Sequence, residues 1–275
     1  MNIKNYSIAK KSLKILFDSG RLFNKLSSQR DGIFLNSIPK SGTHLLHQIL
    51  MNLNFKDKFG FFASTPSWSM QVRSNQEAEK YLSRIYKNEI ISGHLFFSKS
   101  IESYLLESST PSVFIYRDPR AIFLSELHYL SNMNRWHRCH KYYARCKSFD
   151  EKFDLCLKGL PECDFYYPKF SDRIKDYLGW VNSKAVFAIR FEDLINEETS
   201  FSEINNLCNY LSSFYEYTDN KESRIKDAKR SISPETSHTF TGLDPDRWKT
   251  NLNSSQIYQL ESHLGALIKE MKYTC

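Results

Sequence analysis

The segment Pro39-Lys40-Ser41-Gly42-Thr43 combines residue types that bind phosphate groups. It directly follows an apolar run and directly precedes a segment of helical periodicity. A strand, a tight turn and a helix in this order aim free backbone N–H groups and the positive end of the helix dipole at one point. Lys40 would supply a mobile positive charge there, and Ser41 and Thr43 would donate from their hydroxyl groups. Gly42 would allow a ligand close to the backbone, so the segment predicts an anion-binding loop.

Two alternatives to this interpretation differ in their chemistry. One is an ordinary strand–helix turn in which Ser41 or Thr43 caps the helix and Lys40 is solvated. The other is the phosphate loop of kinases and nucleotide hydrolases, in which Gly-Lys-Ser/Thr follows an earlier glycine. Here Lys40 precedes the single glycine of the loop, and this order disfavours a kinase or hydrolase.

A second candidate phosphate site lies at the end of another predicted strand. Arg117-Asp118-Pro119-Arg120 follows that strand and opens a helix, with proline in the first turn. Arg117 offers a rigid fork of donors to a dianion, and Ser125 lies about two helical turns further along, where its hydroxyl can face the same side. The alternative is a surface ion pair between Arg117 and Asp118, with a serine bonded to its own helix backbone.

A histidine that could act as a base stands between these two motifs in the chain. Ile90-Ile91-Ser92-Gly93-His94-Leu95 reads as the end of a short strand. A lone histidine at a strand end is more often structural than catalytic. An imidazole titrates near neutral pH and could act as a general base, so the residues by themselves leave both roles of His94 open.

Strands and helices alternate along the chain in a way that would bring these motifs together. Apolar runs over residues 33–38, 89–92, 112–116 and 184–189 predict strands, and segments of helical period separate them. This order predicts an α/β fold with a central parallel β-sheet flanked by helices on both faces. Ligands of such sheets bind at the carboxyl ends of the strands, where all three motifs lie.

The chain length is sufficient for one domain over residues 1–275, with 41% hydrophobic residues to form its core. We expect a cofactor-binding core over residues 33–131. Residues 132–170 are rich in cations and aromatics and are expected to form a lid over an acceptor site. Residues 184–275 should form a strand and a mostly helical C-terminal part.

The two anion-binding motifs and their order resemble those of the sulfotransferases that use 3′-phosphoadenosine-5′-phosphosulfate (PAPS). The resemblance implies the P-loop-like sulfotransferase fold and in-line transfer of a sulfuryl group without a metal. The product nucleotide would be adenosine 3′,5′-bisphosphate (PAP). Catalysis would rest on His94 as general base and on Lys40, which would stabilise charge on the departing phosphate oxygen. The nucleotide-binding residues would include Lys40, Ser41, Gly42, Thr43, His44, Arg117 and Ser125.

The chain departs from the family pattern around the candidate base and at the cofactor site. Ser92 and Gly93 replace the lysine and threonine that often precede the histidine, and Leu45 replaces a tryptophan. Phe191 stands where relatives often have a tyrosine, and its ring could stack on adenine or pack in the core.

The C-terminal part matches the family less well. Relatives have an Arg-Lys-Gly loop for the 3′-phosphate, whereas here only Asp246-Arg247-Trp248-Lys249 is similar to the sequence near it. Arg247 or Lys249 is therefore expected to supply the missing cation. The dimerisation pattern of animal cytosolic members fails at Asn253, Ser254 and Tyr258, which predicts a monomer.

The composition favours an anionic ligand, since 38 basic and 31 acidic residues give a net charge of +7. No run is long and apolar enough to span a bilayer, and residues 1–26 resemble an amphipathic helix rather than a signal peptide. We therefore expect a cytoplasmic protein without integral membrane contact. The cysteines lack paired spacing, and Cys139 with His137 and His140 matches no zinc pattern, so neither disulfides nor a metal is expected.

The acceptor is the least defined part of this hypothesis. A small molecule with a hydroxyl or amine group is expected, rather than a secreted glycan or tyrosine acceptor, and no nucleic-acid partner is expected. The alternative from another functional class is a non-catalytic protein that binds RNA or an acidic surface through the basic residues 135–147. Aromatic side chains that could form an acceptor pocket are Tyr104, Trp136, Tyr142, Tyr143, Phe165 and Tyr166.

Overall fold

The computed structural model describes residues 32–86, 88–216, 220–230 and 244–274. The expected N-terminal amphipathic helix over residues 1–26 and the cysteine at position 275 lie outside these residues. None of the helices in the described ranges is both long and apolar enough to cross a bilayer.

A five-stranded parallel sheet forms the centre of the fold, with the strand order β2-β3-β1-β4-β5. This confirms the predicted central parallel sheet. The first strand was predicted to within one residue, the third extends to His94, and the last begins three residues later than expected. The strands are β1 Ile33–Ser37, β2 Lys56–Ala63, β3 Glu89–His94, β4 Ser112–Tyr116 and β5 Phe187–Arg190.

Strand β2 was not predicted, and its sequence explains why. It begins Lys-Asp-Lys, a charged start that apolar periodicity does not mark as a strand. Its pairing with β3 shifts register between Asp57 and Phe61, around Gly60 with φ 145°. The strand is stabilised by pairing to β3 at the edge of the sheet and not by its own apolar pattern.

Helices cover both faces of the sheet, as predicted. Successive strand residues point to opposite faces, so Phe34 and Phe114 belong to one core and Ile33 and Val113 to the other. The helices are α1 Thr43–Asn52, α2 Asn75–Leu82, α3 Lys99–Glu107, α4 Pro119–His128, α5 His140–Tyr143, α6 Phe149–Lys158, α7 Phe170–Leu178, α8 Phe191–Ile195, α9 Ser200–Leu211, α10 Lys221–Arg230, α11 Arg247–Asn251, α12 Ser254–Leu264 and α13 Leu267–Glu270.

Two short irregular helices interrupt this regular pattern. A π-helical turn, Tyr129–Met133, directly follows α4, and a 3-10 turn, Gly179–Asn182, follows α7. The segment predicted as a lid, residues 132–170, is fastened to the core through buried aromatic side chains. Phe153 of α6 packs edge-to-face on Phe123 of α4, with 4.9 Å between ring centroids.

Candidate active site

The loop between β1 and α1 takes its shape from two residues with left-handed backbone conformation. Lys40 has φ 70° and Gly42 has φ 98°. A side chain is excluded at Gly42, because a Cβ atom there would lie 2.5 Å from a ring carbon of Phe191. Positive φ is uncommon for a residue such as Lys40 and persists where the surrounding structure requires it. The loop thereby directs the N-terminus of α1, at Thr43, toward the carboxyl ends of the strands.

The hydroxyl group of Ser41 faces the protein interior instead of a ligand. Its oxygen lies 2.6 Å from the carbonyl of Ile38 and 2.9 Å from the carbonyl of Ile115, and the residue is fully buried. A serine hydroxyl has one proton to donate, and here both acceptors within reach are backbone carbonyls. Ser41 therefore fastens the loop to β4.

His94 lies at the end of β3, near the loop between β1 and α1, and is held by the neighbouring strand β1. Its Nδ1 is 2.9 Å from the carbonyl oxygen of Ser37. Because a carbonyl oxygen only accepts, Nδ1 carries the proton and Nε2 is the unprotonated nitrogen. The Ser37 hydroxyl lies 3.0 Å from the same Nδ1 and 2.8 Å from the hydroxyl of Thr43, which links the histidine to the first residue of α1.

The surroundings of His94 keep its ring neutral. Burial lowers the pKa of His94 to about 4, and the positive charges of Lys40 and His44 act in the same direction, against the hydrogen bond to Ser37. At neutral pH the ring is therefore an acceptor for a proton. His44 itself is exposed, on the first turn of α1.

The ammonium group of Lys40 packs over an aromatic ring. Its Nζ lies 4.4 Å from the ring centroid of Tyr129, in the π-helical turn after α4. Burial lowers the pKa of Lys40 to about 8; the carboxylate of Glu126 opposes this shift and the guanidinium of Arg117 adds to it. Lys40 and Arg117, which follow the neighbouring strands β1 and β4, are thus close enough to interact electrostatically.

Arg117, Ser125 and Arg247 line one cavity of about 260 Å³. Three of its lining residues also carry a buried donor atom that has no hydrogen-bond partner among the described residues. The buried Nε of Arg117, the hydroxyl of Ser131 and the indole nitrogen of Trp248 are all unpaired in this sense. Two guanidinium groups and the Ser125 hydroxyl thus border the cavity, which suits a ligand that supplies several acceptor oxygens.

The predicted alternative of an ion pair between Arg117 and Asp118 is wrong, because Asp118 binds a different arginine. The guanidinium of Arg120 makes a two-point contact with the Asp118 carboxylate, at 2.7 and 3.0 Å. Asp118 also caps α4 by accepting from the backbone N–H of Arg120. Arg120 reaches on to Glu261 at 2.6 Å. This arrangement leaves Arg117 directed to the cavity, where burial lowers its pKa.

Of the remaining predicted nucleotide-binding residues, Arg247 lines the cavity, whereas Lys249 and Phe191 are not part of its lining. Lys249 is exposed and forms an ion pair with Asp246 at 2.8 Å outside the cavity. Phe191 is buried against Gly42 and carries the guanidinium of Arg117 over its ring at 4.3 Å. Its ring thus packs beneath the loop, which was the core-packing alternative.

The structure does not gather the six predicted acceptor-site aromatics on one surface. Tyr143 is fully buried, with its hydroxyl 2.7 Å from that of Tyr167, whereas Trp136 is 83% exposed. The aromatic side chain that contacts the candidate base is Phe61, whose ring lies edge-to-face with His94 at 4.7 Å. Phe61 lies on β2, and its contact with His94 was not predicted because that strand was not predicted.

Other residues of the site were also not predicted from sequence. Ser37, Tyr129 and Lys152 belong to none of the motifs, and their contacts with His94, Lys40 or the cavity arise only in the folded chain. For Tyr129 a signal existed, because it follows the Arg117 helix directly. The extent of the π-helical turn that positions it could not be read from the residues alone.

Comparison with known proteins identifies one family. The sulfotransferase domain family matches residues 30–272. Human sulfotransferase 2A1 is 24% identical over 185 residues, which cover 66% of this chain and 59% of the human protein. Mouse sulfotransferase SULT7A1 complexed with PAP superposes with a TM-score of 0.58 at 18% identity, covering 90% of this chain and 87% of the mouse chain. A retinol dehydratase complexed with androsterone and the inactive cofactor PAP gives 0.57 at 12% identity, covering 94% and 87%.

Proposed function

Because the chain belongs to the sulfotransferase domain family, we propose that it transfers a sulfuryl group from PAPS to a hydroxyl or amine of a small-molecule acceptor. One observation carries the proposal. Strands β1 and β4 are neighbours, with Ser37 paired to Ile115, so the phosphate loop and Arg117 emerge side by side. Lys40 and Arg117 can therefore bind the two phosphate ends of a single nucleotide.

The cavity beside Arg117 fits the 3′-phosphate of such a nucleotide. Its lining residues Arg117, Arg247 and Ser125 offer two guanidinium groups and a hydroxyl. A phosphate group presents acceptor oxygens in several directions and suits forked guanidinium donors. The 5′-phosphosulfate would lie at the N-terminus of α1, where backbone N–H groups and the helix dipole favour an anion.

The proposed chemistry is a direct in-line displacement in which His94 acts as general base. Its Nε2 would take the proton from the acceptor hydroxyl or amine while the acceptor atom bonds to sulfur and the bond between sulfur and the phosphate oxygen breaks. The carbonyl of Ser37 holds the ring by accepting from Nδ1–H and favours the tautomer that the reaction needs.

Negative charge that grows on the departing phosphate oxygen would be stabilised by Lys40 and by the first backbone N–H groups of α1. Such donors act strongly because they are already oriented in a partly buried site. Phe61 covers one side of His94 and would contact the acceptor, which favours acceptors that present an apolar or aromatic group next to the reacting atom.

Replacement of His94 by alanine tests the assigned base. We expect turnover with labelled PAPS and a panel of phenols, alcohols and amines to fall by about 100-fold or more, since that is the usual contribution of a general base. Titration calorimetry with PAP should show nearly unchanged affinity. His47→Ala is the matched control, because His47 lies on α1 with its imidazole bound to Asp57.

Two results would contradict the proposal. Turnover near the wild-type rate in the His94→Ala protein would remove the histidine from the mechanism. Magnesium-dependent hydrolysis of ATP by the wild-type protein, without transfer from PAPS to any acceptor, would contradict the sulfotransferase activity as a whole.

A further inference from the structure

Part of the lining of the cavity beside Arg117 comes from a helix that contains none of the sequence motifs. Phe149 and Lys152 of α6 take part in its wall, together with residues of α4 and α11. Helix α6 belongs to the segment predicted as an acceptor lid. We propose that Lys152 binds the 3′-phosphate of the nucleotide and makes binding selective for nucleotides that carry this group, an inference that rests on the proposed function.

The charges of the cavity support this assignment. Its lining contains the cations Arg117, Arg247 and Lys152, and one carboxylate, that of Asp244. The ammonium of Lys152 makes no hydrogen bond or ion pair within the described residues. The other lysine of the same helix, Lys158, is bound to Asp154 at 2.5 Å. Of the two lysines on α6, Lys152 is thus the one available to an anion in the cavity.

Helix α6 is held firmly enough to keep Lys152 at the wall of the cavity. Phe153, the next residue, packs on Phe123 of the helix that carries Ser125. At the start of the helix, Asp150 accepts from the side-chain amide of Gln256 at 2.7 Å, which ties α6 to α12. Both contacts act within one turn of Lys152, so its position is set by packing on two sides.

The carboxylates that neighbour Lys152 in the chain have other partners. Asp150 binds Gln256, and Glu151 accepts from the backbone N–H of Lys147 at 2.7 Å. Neither therefore neutralises Lys152 through a direct contact. A cation from the middle of the chain thus serves where the family commonly uses a C-terminal loop, and Lys249 is directed elsewhere.

Calorimetric titration with two nucleotides isolates the role of Lys152. PAP carries the 3′-phosphate, and adenosine 5′-monophosphate (AMP) lacks it. For Lys152→Met we expect affinity for PAP to fall about tenfold or more, as for loss of a hydrogen bond to a charged group, and affinity for AMP to stay unchanged. Lys152→Arg keeps the charge and should keep most of the PAP affinity. Lys158→Met should bind both nucleotides like the wild type.

The outcomes separate this inference from the proposed function. If the wild-type protein binds PAP and Lys152→Met binds it equally well, or loses affinity for PAP and AMP alike, Lys152 does not recognise the 3′-phosphate. If the wild-type protein does not bind PAP, the proposed function fails, and the role of Lys152 fails with it.

Discussion

Lys40 combines a buried ammonium group, a nearby guanidinium group and a strained backbone conformation. Its φ of 70° is unusual for lysine, and burial beside Arg117 lowers its pKa to about 8. The positive charges of Lys40 and Arg117 therefore repel each other in the absence of a bound anion. A doubly anionic nucleotide would relieve this repulsion, which explains why such an arrangement suits binding more than stability.

The pH dependence of PAP binding tests this reading of Lys40. Below pH 8 the ammonium is charged and binds the anion. As the pH rises above about 8, the free protein loses this proton, binding must take one up, and affinity should fall by up to about tenfold per pH unit. In Lys40→Arg the charge persists, so the dependence should flatten. Wild-type affinity that stays constant from neutral pH to well above pH 8 would contradict it.

At the scale of elements, the π-helical turn after α4 connects the helix that follows Arg117 to Lys40, the lysine proposed to take part in catalysis. The turn closes with a hydrogen bond from the backbone N–H of Asn134 to the carbonyl of Tyr129 at 3.0 Å. The side chain of Asn134 also donates to the Tyr129 hydroxyl at 2.7 Å. Such turns insert one residue into a helix and often occur at functional sites. Here the turn sets the Tyr129 ring against Lys40.

Paired substitutions at Tyr129 separate the ring from its hydroxyl. Tyr129→Leu removes the face on which Lys40 rests, and we expect kcat/KM for PAPS to fall by about three- to tenfold, the range of a partly buried cation–π contact. Tyr129→Phe keeps the ring and should retain near-normal kcat/KM, while losing about 1 kcal/mol of stability with the bond from Asn134. Equal kinetics in both variants would show that the ring does not position Lys40.

At the scale of the whole molecule, a buried ion pair joins α7 to α4, the helix that follows β4. Arg173 of α7 lies 3.2 Å from the carboxylate of Glu126 on α4 and stacks over the Tyr167 ring at 4.0 Å. It also donates to the carbonyl of Cys156 on α6. Tyr167 donates to the same Glu126 carboxylate at 2.8 Å. Three helices are thus connected through one guanidinium.

Removal of Arg173 should destabilise the whole domain. In Arg173→Met, Glu126 loses the cation in direct contact with its buried carboxylate, so we expect a loss of about 3 kcal/mol in the free energy of unfolding by urea. The double variant with Glu126→Gln should recover part of this loss, because the unpaired charge is gone. A loss below about 1 kcal/mol in the single variant would mean that the pair contributes little to stability.

The amino-acid sequence alone determined the features that depend on neighbours along the chain. Apolar periodicity marked four of the five strands, and Pro39–Thr43 marked the turn before α1, for which anion binding stays a prediction. The proline and arginine after β4 likewise marked the start of α4. These features are readable because strand alternation, helix starts and turn chemistry act over a few residues.

Only the tertiary structure decided which partner each polar group binds. Asp118 pairs with Arg120 and not with Arg117, and the Ser41 hydroxyl faces backbone carbonyls. Arg247 lines the cavity while Lys249, two residues away, points elsewhere, and the cavity is completed from α6. Such choices depend on how distant helices pack on the sheet. Packing sets the direction of each side chain, and this direction decides which of two neighbouring residues of similar chemistry reaches the cavity.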